Sequence, residues 1–463
     1  MNLEKPLAKF ADLWYYIFDL KKKGKFNMNQ FEHILKDQIE KVSAKLHEMG
    51  RDDLIPLFKN CYPNTLETTT KILDDGSAFV ITGDIHAMWL RDSAAQVHHY
   101  LPVARENKEL ADIIEKMINR YSIYLLIDPY ANAFNENGDD PLRGHNKDET
   151  FRSPFVWERK YEIDSLCSVL FIAYKFWKIV GRTSIFTPEF KKSVESILNV
   201  WETEQNHAEK SDYSFYRPNP QEKSSMKYNV DFLCNNGQGY PVGYTGMTWC
   251  GFRPSDDACF YNYLIPSEMY AVVTLGYAAE IATEIYKDEA LAERCKKLAS
   301  EIDEGIKKFG IVEDPDFGKI YAYETDGLGN YNFMDDANVP SLMSLPYIGY
   351  CDVDDPIYQN TRKFILSKKN PYYYEGKILK GIGSPHTPEN CVWPISLVMQ
   401  GLTSNSKEEV EEILDMLVNS HAGTFYMHES INVDDPTDFS RTWFAWANSI
   451  FSELVLKYAG FEI

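Results

Sequence analysis

Apolar residues recur at three- and four-residue intervals along most of the chain, the period of a helix that buries one face. Phe31, Ile34, Leu35, Val42, Leu46 and Met49 form one such stripe, closed by Gly50 where a left-handed C-terminal residue is favoured. Leu110, Ile113, Ile114, Met117 and Ile118 predict a second helix, and Leu166, Val169, Leu170, Ala173, Trp177 and Val180 a third. Another is expected from Ser267 to about Tyr286, because Pro266 suits a first helical turn. Leu291, Cys295, Leu298, Ile302 and Ile306 make the next stripe, ended by Gly310. Val410, Ile413, Leu414 and Leu417 give one more, and Trp443, Ala447, Ile450, Phe451, Leu454 and Tyr458 the last. Strand signals are short. Tyr321 to Tyr323 and Tyr372 to Tyr374 suit small hairpins, and the strand–helix alternation of a parallel sheet is missing, so the class is mainly α.

Six segments of another character separate these helices: Gly83 to Asp92, Asn132 to Tyr161, Asn235 to Tyr263, Met334 to Pro346, Gly381 to Pro394 and Gly423 to Trp443. They are rich in Gly, Pro, Trp, Arg, Asp and His. Helices alternating between two concentric rings, with one set of loops building a pocket, would produce this pattern, and loops on a rigid scaffold are where function concentrates. With no linker, low-complexity tract or composition break, residues 1–463 read as a single domain, whose first sixty residues carry the least of this pattern.

Composition narrows the partners. Thirty Tyr, 26 Phe and 9 Trp exclude disorder over most of the length. Forty-eight Lys and Arg against 69 Asp and Glu give a net charge of −21, which disfavours nucleic acid and anionic membranes. Lys21-Lys22-Lys23 is the only basic run and reads as a solvated helix end. No apolar stretch approaches membrane-spanning length, and Leu13 to Leu20, broken by Asp19, makes a poor secretory signal, so a cytoplasmic protein is expected. The eight Cys are scattered without a C-x-x-C pair and are expected as buried free thiols. His98 and His99, adjacent on a helix, point to different faces and are not expected to bind metal.

Phosphate-binding loops, H-E-x-x-H and G-x-S-x-G are absent. What remains is a set of loop carboxylates, arginines and tryptophans, the mixture a sugar requires: its apolar faces stack on rings and its paired hydroxyls are read by Asp and Arg. Thr82 to Ser93 holds Asp84, Trp89, Arg91 and Asp92, although Asp92-Ser93 also suits a helix cap. Gly251 to Ala258 holds Arg253 and the adjacent Asp256 and Asp257, where burial or a like charge would raise the pKa of an acid. His428 to Pro436 and Arg441 to Ser449 add Glu429, Arg441 and Trp443, while Glu162 and His386 sit in two further polar segments.

The strings TGDIHAMWLRDSAAQV, FVWERKYEIDSL, GMTWCGFRPSDDA, GSPHTP, MHESINVDDP and RTWFAWANSIF, in this order, closely resemble glycoside hydrolase family 125, the exo-acting α-1,6-mannosidases. The resemblance spans about Asp84 to Leu454. It implies an (α/α)6 barrel and metal-independent, inverting hydrolysis of terminal α-1,6-linked mannose from mannosides or N-glycan fragments, without a cofactor. It also implies Asp256, rather than Asp257, as general acid and Glu429 as general base, about 6.5–9.5 Å apart so that a water fits between base and sugar. Asp84, Trp89, Arg91, Asp92, Glu162, Arg253, His386, Arg441 and Trp443 are the implied substrate contacts. Replacing Arg91 or Asp92 is then expected to change KM or kcat without unfolding the chain. Where the family has Pro in GDIPAMWLRD, this chain has His86. Two rivals remain: a sugar epimerase on the same barrel, in which His86 and His386 would be the acid–base pair, and a sugar-binding protein with a decayed site.

Overall fold

The computed structural model describes residues 31–138, 153–217 and 232–463. The Lys21-Lys22-Lys23 run, the Leu13 to Leu20 segment and the middle of the Asn132 to Tyr161 loop lie outside the described residues. Thirteen helices carry the architecture among those described: α1 (Glu32–Glu48), α2 (Leu54–Cys61), α3 (Leu90–His98), α4 (Lys108–Ile127), α5 (Ile163–Val180), α6 (Pro188–Glu204), α7 (Ile265–Ile281), α8 (Glu289–Phe309), α9 (Leu345–Ile348), α10 (Pro356–Ile365), α11 (Pro394–Leu402), α12 (Lys407–Ser420) and α13 (Ala445–Tyr458).

Burial sorts them into two rings. In α8 the buried positions are Leu291, Ala292, Cys295, Leu298, Ile302, Gly305 and Ile306, a stripe on one face of an outer helix. In α13 every residue from Ala445 to Leu456 is buried, as required of a helix enclosed on all sides. The enclosed set is α3, α5, α7, α9, α11 and α13. Around the inner ring α13 packs on α3, α3 on α5, α5 on α7 and α7 on α9, with α11 on α13. Outside it α4 covers α5, α8 covers α7, α12 covers α11, and α2 covers α13. This is the (α/α)6 barrel.

Each of the six loop segments leads into one inner helix, so all six collect at the N-terminal end of that ring. Small antiparallel sheets stiffen them. Met88–Trp89, Ala133–Phe134 and Val156–Glu158 form one, Tyr263–Leu264, Glu324–Thr325 and Tyr331–Asn332 another, and Cys391–Val392 pairs with Ile431–Asn432. The two tyrosine segments do enter hairpins, pairing Ile311–Asp314 with Gly318–Tyr321 and Tyr373–Glu375 with Lys380–Ile382.

Boundaries shift where loops compete with helices. The last helix starts at Ala445 because Trp443 is drawn into an extended pairing, with Asp84 N–H donating to its carbonyl (3.2 Å) and Ala445 N–H donating to Thr82 O (3.0 Å). Gly83 permits this approach: its φ is +129°, and a Cβ there would overlap the Trp443 carbonyl oxygen. The helix predicted to reach Tyr286 is α-helical to Ile281 and continues as a wider π turn over Ala282–Tyr286. Asp92 does not cap a helix. It lies in the first turn of α3, which starts at Leu90.

All eight thiols are free; Cys234 and Cys351 are partly exposed and the other six buried. His98 is buried and bound to Glu453 at 3.2 Å. Among the described residues no helix is long and apolar enough to cross a membrane.

Candidate active site

Where the loops meet, a cavity of about 230 Å³ opens at the end of the inner ring. It is smaller than the pockets of about 300–1,000 Å³ that hold drug-sized ligands, and on the scale of one sugar ring. Of the predicted residues, Trp89, Arg91, Asp92, Asp256, His386, Glu429 and Arg441 line it.

Asp256 sits on a tight turn in which Arg253 N–H donates to Asp257 O (2.7 Å) and Asp256 N–H donates to Arg253 O (2.9 Å). Its φ of +68° is a left-handed conformation that costs most residues about 1–2 kcal/mol and that Asp tolerates better than most. Three donors converge on its Oδ1: Trp89 Nε1 at 3.2 Å, Asn132 Nδ2 at 3.3 Å and an Arg91 guanidinium N–H at 3.4 Å. Lys160 Nζ donates to its main-chain oxygen at 2.7 Å. The raised pKa expected for this acid is not found. Burial pushes it up, but Arg91 and Lys160 outweigh burial and hold the carboxyl well below the usual range.

Glu429 occupies a hairpin in which Ser440 N–H donates to Ser430 O (2.9 Å). The Ser440 hydroxyl donates to Glu429 Oε2 at 2.8 Å, and Arg441 approaches Oε1 at 3.5 Å. Asp84 does not line the cavity; it accepts from Arg441 Nε at 2.9 Å and so orients that arginine. His386 lines the same cavity and bonds through Nδ1 to the buried Asp257 at 2.8 Å. Its desolvation would lower its pKa, yet Asp257 and then Glu429 and Asp256 raise it to about 9, leaving a cation at neutral pH. This buried partnership gives Asp257 a role distinct from that of its neighbour.

Besides Asp84, three predicted contacts lie outside the cavity. Glu162 is fully buried behind Arg91, accepting from it at 2.6 Å. Arg253 is buried against Glu324, donating from Nε at 2.6 Å, and thereby fixes the acid's turn to a neighbouring sheet. Trp443 is buried and contributes its main chain to the Gly83 pairing. Conversely Thr82, Ile85, Pro254, Ser255, Asn338, Trp393, Phe444 and Trp446 line the cavity without having been singled out. Five of them lie in the segments already flagged as loops, and Phe444 and Trp446 in the RTWFAWANSIF string, so composition located the segment but not the residue. His86 does not line the cavity. It stands 3.5 Å from Glu136, whose pKa falls to about 2 through its bonds to His86 and Lys71.

Among the described residues no cluster of three or more His, Cys, Asp or Glu is arranged to hold a metal ion.

The family model described as "Metal-independent alpha-mannosidase (GH125)" matches residues 51–456. The Meiotically up-regulated gene 157 protein of Schizosaccharomyces pombe is 41% identical over 438 residues, 90% of this chain and 84% of that protein. A solved Streptococcus pneumoniae structure, described as a metal-independent α-mannosidase in a non-productive complex with α-1,6-mannobiose, is 46% identical. It superposes with a TM-score of 0.89 over 93% of this chain and 99% of that one. A Saccharomycopsis fibuligera glucoamylase, 14% identical, shares the fold with a TM-score of 0.52 over 93% of this chain and 96% of its own.

Proposed function

The chain belongs to glycoside hydrolase family 125, the metal-independent α-mannosidases, and on that premise we propose that it removes single terminal α-1,6-linked mannose residues from mannose-containing oligosaccharides with inversion. One observation carries this reading: Asp256 and Glu429 face a single sugar-sized cavity between aromatic rings and arginines. Asp256 gives a proton to the glycosidic oxygen while Glu429 takes one from the water that attacks the anomeric carbon. Trp393, Phe444 and Trp446 supply ring faces, and Arg91, Asp92, His386 and Arg441 supply hydroxyl contacts. The cavity's size supports exo action, since it accommodates one terminal ring. The whole of residues 1–463 is read as one catalytic unit. His86, tied to Glu136 away from the cavity, weakens the epimerase alternative.

The test is a proton NMR time course on α-1,6-mannobiose with EDTA, comparing the unmodified chain with Asp256→Asn and Glu429→Gln. β-Mannose as the first product, abolished by both substitutions, is expected. α-Mannose as first product would overturn inversion, and no turnover would overturn the linkage.

A further inference from the structure

Asp256 stands among cations, while the step assigned to it needs a proton on the leaving-group side. Arg91 reaches its carboxylate at 3.4 Å, Lys160 holds its main-chain oxygen at 2.7 Å, and His386 lines the same cavity. A carboxyl so placed holds a proton poorly by itself.

Glu162, the residue preceding α5, is in the opposite condition. It is buried beneath the cavity floor, and its cation is shared: Arg91 lies 2.6 Å from Glu162, 3.2 Å from Asp164, 3.3 Å from Asp92 and 3.4 Å from Asp256. Of the other cations that reach the group, Lys160 is shared with Glu158, His386 with Asp257 and Arg441 with Asp84, so the four carboxylates compete for Arg91 and a carboxyl as buried as Glu162 favours its protonated form. Asn132 Nδ2 donates both to Glu162 Oε1 (3.1 Å) and to Asp256 Oδ1 (3.3 Å), clamping the two side chains together. Burial pushes Glu162 well above the usual carboxyl range, beyond what Arg91 offsets.

We propose that Glu162 is a positioning residue for the general acid, storing the proton that Asp256 delivers and passing it to Asp256 within the cluster that Arg91 and Asn132 hold together. The inference rests on the reading of Asp256 as the acid. The Glu162 O–H bond breaks as an O–H bond forms on Asp256. That proton then moves to the glycosidic oxygen, which departs from the anomeric carbon with the bonding pair. The attacking water forms the new carbon–oxygen bond with its lone pair and loses a proton to Glu429. Exchange with solvent afterwards returns one proton to Glu162 and removes one from Glu429.

The experiment measures kcat/KM against pH for the unmodified chain, Glu162→Gln, Glu162→Asp and Asp256→Asn. Two substrates are used: α-1,6-mannobiose and a dinitrophenyl α-mannoside, whose leaving group needs no proton. For Glu162→Gln, mannobiose turnover is expected to fall about 100-fold and aryl mannoside turnover by less than about tenfold. The alkaline limb on mannobiose should move to lower pH, because Asp256 alone beside Arg91 and Lys160 loses its proton earlier. Glu162→Asp should recover part of the mannobiose rate. Equal losses on both substrates with an unmoved alkaline limb would overturn the inference. Should Glu162→Gln not fold, the limb in Glu162→Asp decides in the same way. Full mannobiose activity in Asp256→Asn would instead bring down the assignment of the acid.

Discussion

On one side of the cavity, Asp256 is set against Trp89, Asn132 and Arg91, and Arg91 in turn serves the buried Glu162 and Asp164. On the other, Glu429 takes a hydroxyl at 2.8 Å and faces Arg441 at 3.5 Å, while Arg441 spends its charge on the partly exposed Asp84. Behind Asp256, whose own side chain is 25% exposed, Arg91, Glu162 and Asp164 form a buried network in which each charge depends on the others; on the base wall Glu429 is buried too, but the hairpin that carries it turns its outer side to solvent. Loss of a cation from the first therefore endangers the fold, and from the second mainly the chemistry.

Arg91→Met beside Arg441→Met tests that contrast most severely. Arg91→Met leaves Glu162 and Asp164 without their counter-ion and is expected to cost about 3–5 kcal/mol in urea unfolding. Arg441→Met should cost about 1 kcal/mol or less while losing activity. This corrects the expectation that Arg91 could be replaced without unfolding, since its partners are buried carboxylates as well as substrate. Equal losses of stability would erase the distinction between the walls.

Ser440→Ala comes next. Its hydroxyl donates to Glu429 and also meets Ser430 N–H and Oγ, and a hydrogen bond to a charged group contributes about 1.5–3 kcal/mol, so kcat should fall about ten- to a hundredfold while the melting temperature falls less than in Arg91→Met. A melting temperature lowered as far as that of Arg91→Met would show that the base wall is also structural.

Asp92→Asn has an effect whose sign depends on pH. Burial, against the pull of Arg91, raises Asp92 from 3.8 to about 6. The native state thus binds the extra proton, and ionising Asp92 removes stability as pH rises from about 4 to 6. Relative to the unmodified chain, Asp92→Asn should gain stability through that window while losing activity, because Asp92 lines the cavity. A constant stability difference from pH 4 to 7 would refute this.

The smallest effect belongs to His386, which lines the cavity with its side chain 35% exposed and so partly screened. Its pKa is raised from 6.5 to about 9, so the stabilisation is complete below pH 6.5 and lost as pH rises through 9. Unfolding of the unmodified chain and His386→Gln should differ most at pH 6 and converge by pH 10; parallel curves would contradict the pairing with Asp257.

Much of the fold was legible because burial leaves a period. The stripes of α1, α4, α8 and α12 were apparent, whereas α3, α9 and α11 are short inner helices whose enclosed surfaces leave no amphipathic stripe. The six loops were legible through composition, and each proved to precede an inner helix. Within them the residue facing the cavity was not readable, since neighbouring side chains in extended backbone point opposite ways. Trp443 was expected in place of its extended neighbour Phe444 for that reason, whereas Trp446 reaches the cavity from the first turn of α13.

The sequence by itself determined a helical double ring, the family and which loops gather at the cavity, and it supplied the two carboxylates proposed for catalysis, because periodicity, composition and ordered motifs are properties of nearby residues. Only the tertiary structure decided that Glu162 lies behind the acid, that Arg253 anchors its turn to Glu324 and that His386 pairs with Asp257. The partners concerned are 71 and 129 residues apart in the chain. Charges so distant become neighbours only when the inner helices close into a ring. Burial there makes each ionisation depend on all the others.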